Sequence, residues 1–258
     1  MNGGFKVLIA APIAGAKQYS IANWLEWIAN QDYENFEIAL CVNGNEKKEL
    51  IQKLKQTHMT LKNGHIKNIN ILQLEDDDKL TTIQRITYAR EKLRRFAIKD
   101  NYDFLFFLDT DTIPMTNKAI EYLIKKCHYK KVYSGLYFYK NSKVPVVIDK
   151  DTRTNISLEK LETAYNENAI IEVWGFGFGV LMISRSVFKE CAFDYELFGE
   201  ERTDDFGYCA VLTKNNIKRF LDPRVICEHL GTVDFKKLND MTSIDFVPIG
   251  KREDSKND

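Results

Sequence analysis

The chain has 258 residues, with 37 Lys+Arg against 37 Asp+Glu, so its formal net charge is zero. That balance argues against a general nucleic-acid binder, which needs a basic excess, and no apolar run approaches the ~20 residues of a membrane span. The five cysteines, Cys41, Cys127, Cys191, Cys209 and Cys227, show no C-x-x-C spacing and several sit in apolar runs, which argues for buried, reduced thiols rather than a disulfide framework.

Met1 leads into a strand-like run instead of a secretory leader, so a cytoplasmic location is expected, with peripheral attachment to a membrane compatible. The run 5–11 reads as a strand closed by Pro12. A helix follows over 18–29, with Ile21, Trp24, Leu25 and Ile28 at three- and four-residue spacing. A second strand spans 36–42 and ends at the Asn43-Gly44 turn. Residues 46–56 read as helix and 66–74 as a third strand. The acidic loop 75–78 precedes a long amphipathic helix over 82–98, and 104–108 is a fourth strand. Strands alternating with helices imply a parallel, doubly wound α/β sheet. Beyond it, helices are expected at 118–127, 157–165 and 204–214. Strands are expected at 131–139, 170–174, 180–183, 218–221 and 225–227, and 144–148 as a hairpin or edge partner of the first of these. The basic stretches 90–95 and 125–131 fall on helix faces or ends and read as solvated. The polar tail from Lys251 is expected to be disordered.

The most informative feature is Asp109-Thr110-Asp111, which follows the apolar run Phe104-Leu105-Phe106-Phe107-Leu108. Five uninterrupted apolar residues read as a strand buried on both faces. Two carboxylates then stand at its carboxyl end, where ligands bind in open α/β sheets. Acids so close repel and desolvate poorly. A hard divalent cation with oxygen ligands, itself neutralising a phosphate, relieves this. The alternative is an acidic turn leading into the next helix, with Pro114 and Thr116 as entry signals.

Three further sites bear on the choice. Trp174 precedes alternating glycines at 175, 177 and 179. The glycines read as a bulge or strand crossing, or as a close approach of ligand; the indole reads as a sugar-stacking platform or a core residue. Thr203-Asp204-Asp205 opens a helix, so its acids are either first-turn caps or a general base. His229 follows a short strand and is either a hydrogen-bonded structural residue or a metal ligand.

Taken together and in order, "FLFFLDTD", "EVWGFGFGVLMISRSVF" and "TDDFGYCAVLTKNNIKRFLDPRVICEHLG" resemble the GT-A glycosyltransferases, above all the large inverting group that uses nucleotide-sugar donors. The resemblance runs from about residue 5 to 231. Its most specific block carries an acidic pair before a helix, Tyr208-Cys209, then "LDP", then His229 with Gly231 two residues on. It implies a GT-A (Rossmann-like) α/β fold, a mostly parallel doubly wound sheet with a small acceptor-side subregion. The domain would span 1–231, with a nucleotide-binding half at 1–111, an acceptor and catalytic half at 112–231, and a tail over 232–258.

Residue by residue, the resemblance implies that Asp109, Thr110 and Asp111 bind the donor's ribose and diphosphate. Asp109, Asp111 and His229 would hold Mn²⁺ or Mg²⁺. Ala11, Pro12 and Asn43 would contact base and ribose, and Arg90, which falls near a family arginine on the helix before the D-x-D strand, would join the nucleotide-sugar contacts. Asp205 would be the general base, with Asp204 beside it. Trp174 and Gly175 would line the acceptor or sugar subsite. The implied partners are a UDP- or GDP-sugar donor and a glycan, lipid-linked or protein acceptor, with no nucleic acid. Three positions depart from the pattern: Asn43, where many relatives carry Asp or Glu; Glu91, where Asn often follows the arginine; and Val211, in place of a frequent arginine. A sugar nucleotidyltransferase is the runner-up, although "APIAGAKQYS" lacks its glycine-rich basic loop. A non-catalytic carbohydrate- or protein-binding domain is the other alternative.

Overall fold

A computed structural model describes residues 4–60, 66, 68–75, 79–127, 130–140, 142–198 and 203–230. The expected tail, Gly231, the acidic loop at 76–78 and part of the third strand's expected span lie outside the described residues.

The amino-terminal half alternates as its periodicities require. The strands are β1 (Val7–Ile13), β2 (Phe36–Val42), β3 (Ile69–Gln73) and β4 (Phe104–Leu108); between them run α1 (Ile21–Ala29), α2 (Lys47–Thr60) and α3 (Thr82–Lys99). A 3₁₀ turn, Gly15–Ser20, takes the first part of the expected helix 18–29. Thr81 and Gln84 close a reciprocal capping box at the start of α3, satisfying two otherwise orphaned donors. β1 runs on through Pro12 to Ile13, beyond its expected end. Its pairing with β4 stops at Ala10 while that with β2 continues to Ile13, so Pro12 sits where the strand is flanked on one side only and proline is tolerated.

The second half adds β5 (Thr112–Pro114), α4 (Ala119–Lys126), β6 (Lys131–Leu136), β7 (Val147–Asp149), α5 (Leu158–Asn166), β8 (Ile171–Phe176), β9 (Val180–Ser184), α6 (Arg185–Glu190), α7 (Asp204–Lys214) and β10 (Lys218–His229). Among the described residues they complete a ten-stranded sheet of order β3-β2-β1-β4-β9-β6-β10-β8-β7, with β5 on β10. Most strands point the same way. β9 runs antiparallel to both β4 and β6, and β8 antiparallel to β10 and β7. The stretch expected at 144–148 thus pairs chiefly with β8, and meets the segment after β6 through a Phe138–Pro145 bridge.

The sheet separates two cores, as a doubly wound architecture requires. Val7, Ile9 and Ala11 face α1, α2 and α4 through Trp24, Leu50 and Leu123. Leu8 and Ala10 face the other core, with Leu93 of α3, Leu161 of α5, Phe188 of α6 and Tyr208 of α7. β4 is buried at every position, Phe106 in one core and Phe107 in the other. All five cysteines are buried and form no disulfide. No helix among the described residues is long and apolar enough to cross a membrane.

Two expectations are corrected. The strands expected at 218–221 and 225–227 are one strand, β10, whose register shifts between Leu221 and Ile226. Asp222 makes the shift: its buried carboxylate accepts from the Arg224 backbone N–H at 3.1 Å and from the Arg224 guanidinium, a local turn inside a continuing strand. The arginines of 90–95 are not a solvated face. Arg90 and Arg94 are buried, and only Arg95 is open to solvent. Arg90 is paired with Asp109 and Asp204, and Arg94 with Glu91, which binds its Nε and NH2 and accepts from the Phe193 N–H, tying α3 to the segment after α6.

Candidate active site

The carboxyl ends of β1, β2 and β4 open onto a cleft of ≈ 440 Å³ lined by Pro12, Gly15, Lys17, Asn43, Glu46, Arg85, Arg90, Asp109, Thr110 and Asp111, among others. This is where strand topology places ligands. Asn43 is buried and spends its amide N–H groups on the carbonyls of Ile13 and Cys41, at 3.2 and 3.4 Å. Ala11 does not face the cleft; its side chain is in the core beside α1. Thr110 is fixed by the Ser20 hydroxyl at 3.1 Å, and Trp24 of α1 donates its indole N–H to the Leu108 carbonyl. The two aspartates therefore leave a strand end that is held on its helical side.

Pairing of β5 with β10 sets His229 opposite Thr112, one residue after Asp111. The Leu230 N–H donates to the Asp111 carbonyl at 2.7 Å, closing the junction. His229 Nδ1 is 3.1 Å from the Phe138 carbonyl, which can only accept, so this nitrogen carries a proton and Nε2 faces Asp111 at 3.5 Å. Asp111 is buried, and its Oδ2 is also met by Lys17, by Lys140 at 3.3 Å and by the Tyr19 hydroxyl at 3.4 Å. Burial opposes ionisation, but the His229 contact and the Lys17 ammonium outweigh it and hold the carboxyl well below its ordinary range.

Asp109 goes elsewhere. Arg90 NH2 lies 3.0 and 3.3 Å from its two oxygens, while Arg90 Nε binds Asp204 at 2.9 Å. The guanidinium lies over the rings of Phe107 and Phe178, 5.1 and 4.8 Å from their centroids. The expected metal set of Asp109, Asp111 and His229 is thus brought together only as Asp111 with His229. Among the described residues no three His, Cys, Asp or Glu side chains converge as a metal-holding group. A carboxylate beside an imidazole whose far nitrogen is fixed to a carbonyl nevertheless fits a divalent ion completed by oxygens of a diphosphate.

Arg90 also splits the acidic pair at the start of α7. Asp204 is pinned; Asp205 is not. Asp205 accepts from the Phe206 N–H at 2.8 Å and from the Thr203 hydroxyl. Burial, and then the charge of Asp204, push its carboxyl up to about 6. Two adjacent acids in such different environments are candidates for different roles.

Two of the alternating glycines, Gly177 and Gly179, are explained by Tyr137. A Cβ at Gly177 would collide with the Tyr137 hydroxyl, and one at Gly179 would lie 2.8 Å from the same ring. The Gly179 N–H donates to that hydroxyl at 3.1 Å. Tyr137 also meets His229 edge-on, with ring centroids 5.5 Å apart. Its hydroxyl proton is held far more tightly than usual, by burial and then by Asp205 and Asp109. Trp174 is half-buried, stacked on Phe206 at 6.4 Å with Arg153 over its ring at 5.1 Å. A Cβ at Gly175 would find ordinary contacts with Cys209 and Phe206. Trp174, Gly175, Asp204, Asp205 and His229 are not in the lining of the 440 Å³ cleft. Sequence reasoning did not select Lys17, Tyr19, Tyr137 or Lys140. Lys17, two residues after Gly15, carries a signal in its place after the first strand; the other three carry none.

No protein-family model matches the chain, and no curated protein matches it either. Solved structures do. GalNAc-T7 with UDP, GalNAc and Mn²⁺ superposes with a TM-score of 0.63 at 12% identity, over 91% of this chain and 45% of that one. The mannosyltransferase PcManGT from Pyrobaculum calidifontis, in complex with GDP-Man and Mn²⁺, does so with a TM-score of 0.57 at 12% identity, over 92% of this chain and 61% of that one. The chain has the GT-A glycosyltransferase fold. It spans about half the length of the first of these GT-A neighbours and three-fifths of the second. At such identity the likeness is one of GT-A architecture, and the activity has to be argued from the site itself.

Proposed function

We propose that this GT-A chain is a metal-assisted glycosyltransferase. It moves a sugar from a UDP- or GDP-linked donor to a hydroxyl acceptor, with inversion at the anomeric carbon. The observation that carries the reading is the division of the acidic pair: Arg90 holds Asp204, while Asp205, pushed up to about 6, is left as a base. The Mn²⁺ of both neighbouring structures and their UDP and GDP-Man support the donor class.

The nucleotide would lie in the cleft between Pro12, Asn43 and the D-x-D residues, with Asp111 and His229 holding the ion. Bound there, Mn²⁺ or Mg²⁺ would supply Lewis-acid stabilisation of the leaving diphosphate. Asp205 takes the proton of the acceptor hydroxyl. That oxygen attacks the anomeric carbon, the bond from this carbon to the diphosphate oxygen breaks, and its electron pair leaves with the nucleoside diphosphate. Attack from the face opposite the leaving group inverts the configuration. Arg90 keeps Asp109 and Asp204 in place with a guanidinium lying against the rings of Phe107 and Phe178, so the base-bearing helix α7 and the D-x-D strand β4 are aligned before substrate enters.

A thermal-shift panel of UDP, GDP and their sugars, with Mn²⁺ and with chelator, tests the donor class. One nucleotide series should raise the melting temperature, and more so with the metal. No shift with any of them would remove the donor reading. NMR of the product's anomeric configuration tests the displacement, and retention would exclude it.

A further inference from the structure

Four groups converge on one oxygen, Asp111 Oδ2: Lys17 Nζ in direct contact, Lys140 Nζ at 3.3 Å, the Tyr19 hydroxyl at 3.4 Å and His229 Nε2 at 3.5 Å. Two full positive charges therefore face one negative charge. This excess is confined to Asp111 Oδ2: the neighbouring pair Asp109 and Asp204 has one cation, Arg90, between two carboxylates. The lysines come from opposite halves of the molecule: Lys17 from the turn after β1, Lys140 from the segment after β6. Their side chains are 38% and 39% exposed while that of Asp111 is only 2% exposed, so both ammonium groups reach a buried carboxylate from solvent on flexible stems. Such an arrangement can hand its cations from one anion to another.

We propose that Lys17 and Lys140 are ligands for the donor's diphosphate, and that Asp111 holds them in reserve until the nucleotide binds. The inference rests on the donor class proposed above. A nucleoside diphosphate brings more negative charge than one carboxylate, and rotatable ammonium donors satisfy phosphate oxygens well. When a divalent ion takes Asp111, the lysines are released onto the diphosphate. In the metal-free protein they compete with Asp111 for it. Binding of nucleoside diphosphate therefore has a metal-independent part that belongs to the two lysines, and Asp111 works against it.

Calorimetric titration of the full chain with UDP and GDP, and with uridine and guanosine, in Mn²⁺ and separately in excess chelator, tests this. The wild type should bind the accepted nucleoside diphosphate in chelator, more weakly than with Mn²⁺. Lys17→Gln and Lys140→Gln should each weaken that chelator-state affinity by about tenfold and leave the nucleoside unchanged. Lys17→Arg, which keeps the charge, should restore most of it and shows that loss in Lys17→Gln is not misfolding. Asp111→Asn should have opposite effects in the two conditions, losing the Mn²⁺ enhancement while binding several-fold tighter than wild type in chelator. Binding with Mn²⁺ that both lysine variants leave unchanged, no wild-type binding in chelator, or weaker chelator-state binding by Asp111→Asn would overturn this inference alone. No binding of either nucleotide even with Mn²⁺ would overturn the donor reading, and this inference with it.

Discussion

At the scale of single residues the site is a problem of adjacent acids, and Arg90 resolves it. Three of the four carboxylates on the two D-rich segments have a cation: Asp109 and Asp204 share Arg90, and Asp111 has Lys17 and Lys140. Asp205 has none, and burial and then the charge of Asp204 raise its carboxyl; burial raises that of Asp109 too, against the pull of Arg90. The sign for activity is definite: a base works ionised, so the rate should rise with pH through about 6. The sign for stability is the reverse. A carboxyl raised above its unfolded value favours the folded state more as pH falls through about 6. Asp204→Asn removes the like charge next to the base, so the acid limb of the pH–rate profile should move to lower pH. An unmoved limb, or one moved upward, would mean that the two acids are not coupled as described. Arg90→Met should cost about 3–5 kcal/mol, because it leaves two acids without their buried partner; a denaturation midpoint shifted by less than a quarter of that would contradict its role.

At the scale of elements, the strong periodic signals carried through and the local ones did not. The alternation of β1 to β4 with α1 to α3 was legible because each element keeps one period over its length. The helix at 204–214 was legible to the residue. The short strand β5 was not, since three residues have no period. Yet β5 is what brings His229 beside Asp111, over a gap in sequence no local pattern could bridge. The bulge expected of the alternating glycines is present, where the β7–β8 register shifts beside Gly175; at Gly177 and Gly179 the group that approaches closely is the Tyr137 ring rather than a ligand. Trp174 on β8 joins these elements to the start of α7 through Phe206. Trp174→Ala should raise the acceptor KM or lower kcat several-fold, with nucleotide affinity little changed, if sugar displaces Arg153 from the indole at a stacking gain of roughly 1 kcal/mol. If the indole is only a core residue, truncation costs about 3–5 kcal/mol and the surviving folded protein is kinetically normal. Denaturation midpoint and steady-state kinetics, measured side by side, separate the two.

At the scale of the molecule, one sheet aligns two half-sites. Under the proposed function, the cleft at the ends of β1, β2 and β4 takes the nucleotide, and the start of α7 carries the acids that act on the acceptor. Arg90 spans the two, which makes their separation a property of the fold. The sequence revealed this architecture through order and spacing of its acidic motifs. It did not reveal the Asp109–Arg90–Asp204 bridge or the lysines on Asp111, which depend on side chains meeting across 19 to 114 residues of chain. The proposed function has this site transfer sugar with Asp205 as the base. Its most direct test is nucleoside diphosphate release from a panel of UDP- and GDP-sugars with Mn²⁺ and hydroxyl acceptors, in wild type and Asp205→Asn. One donor should be turned over by the wild type. Asp205→Asn should bind that donor equally well and turn it over at least ~10²-fold more slowly, the scale of general-base catalysis. Equal rates in the two proteins would contradict the account.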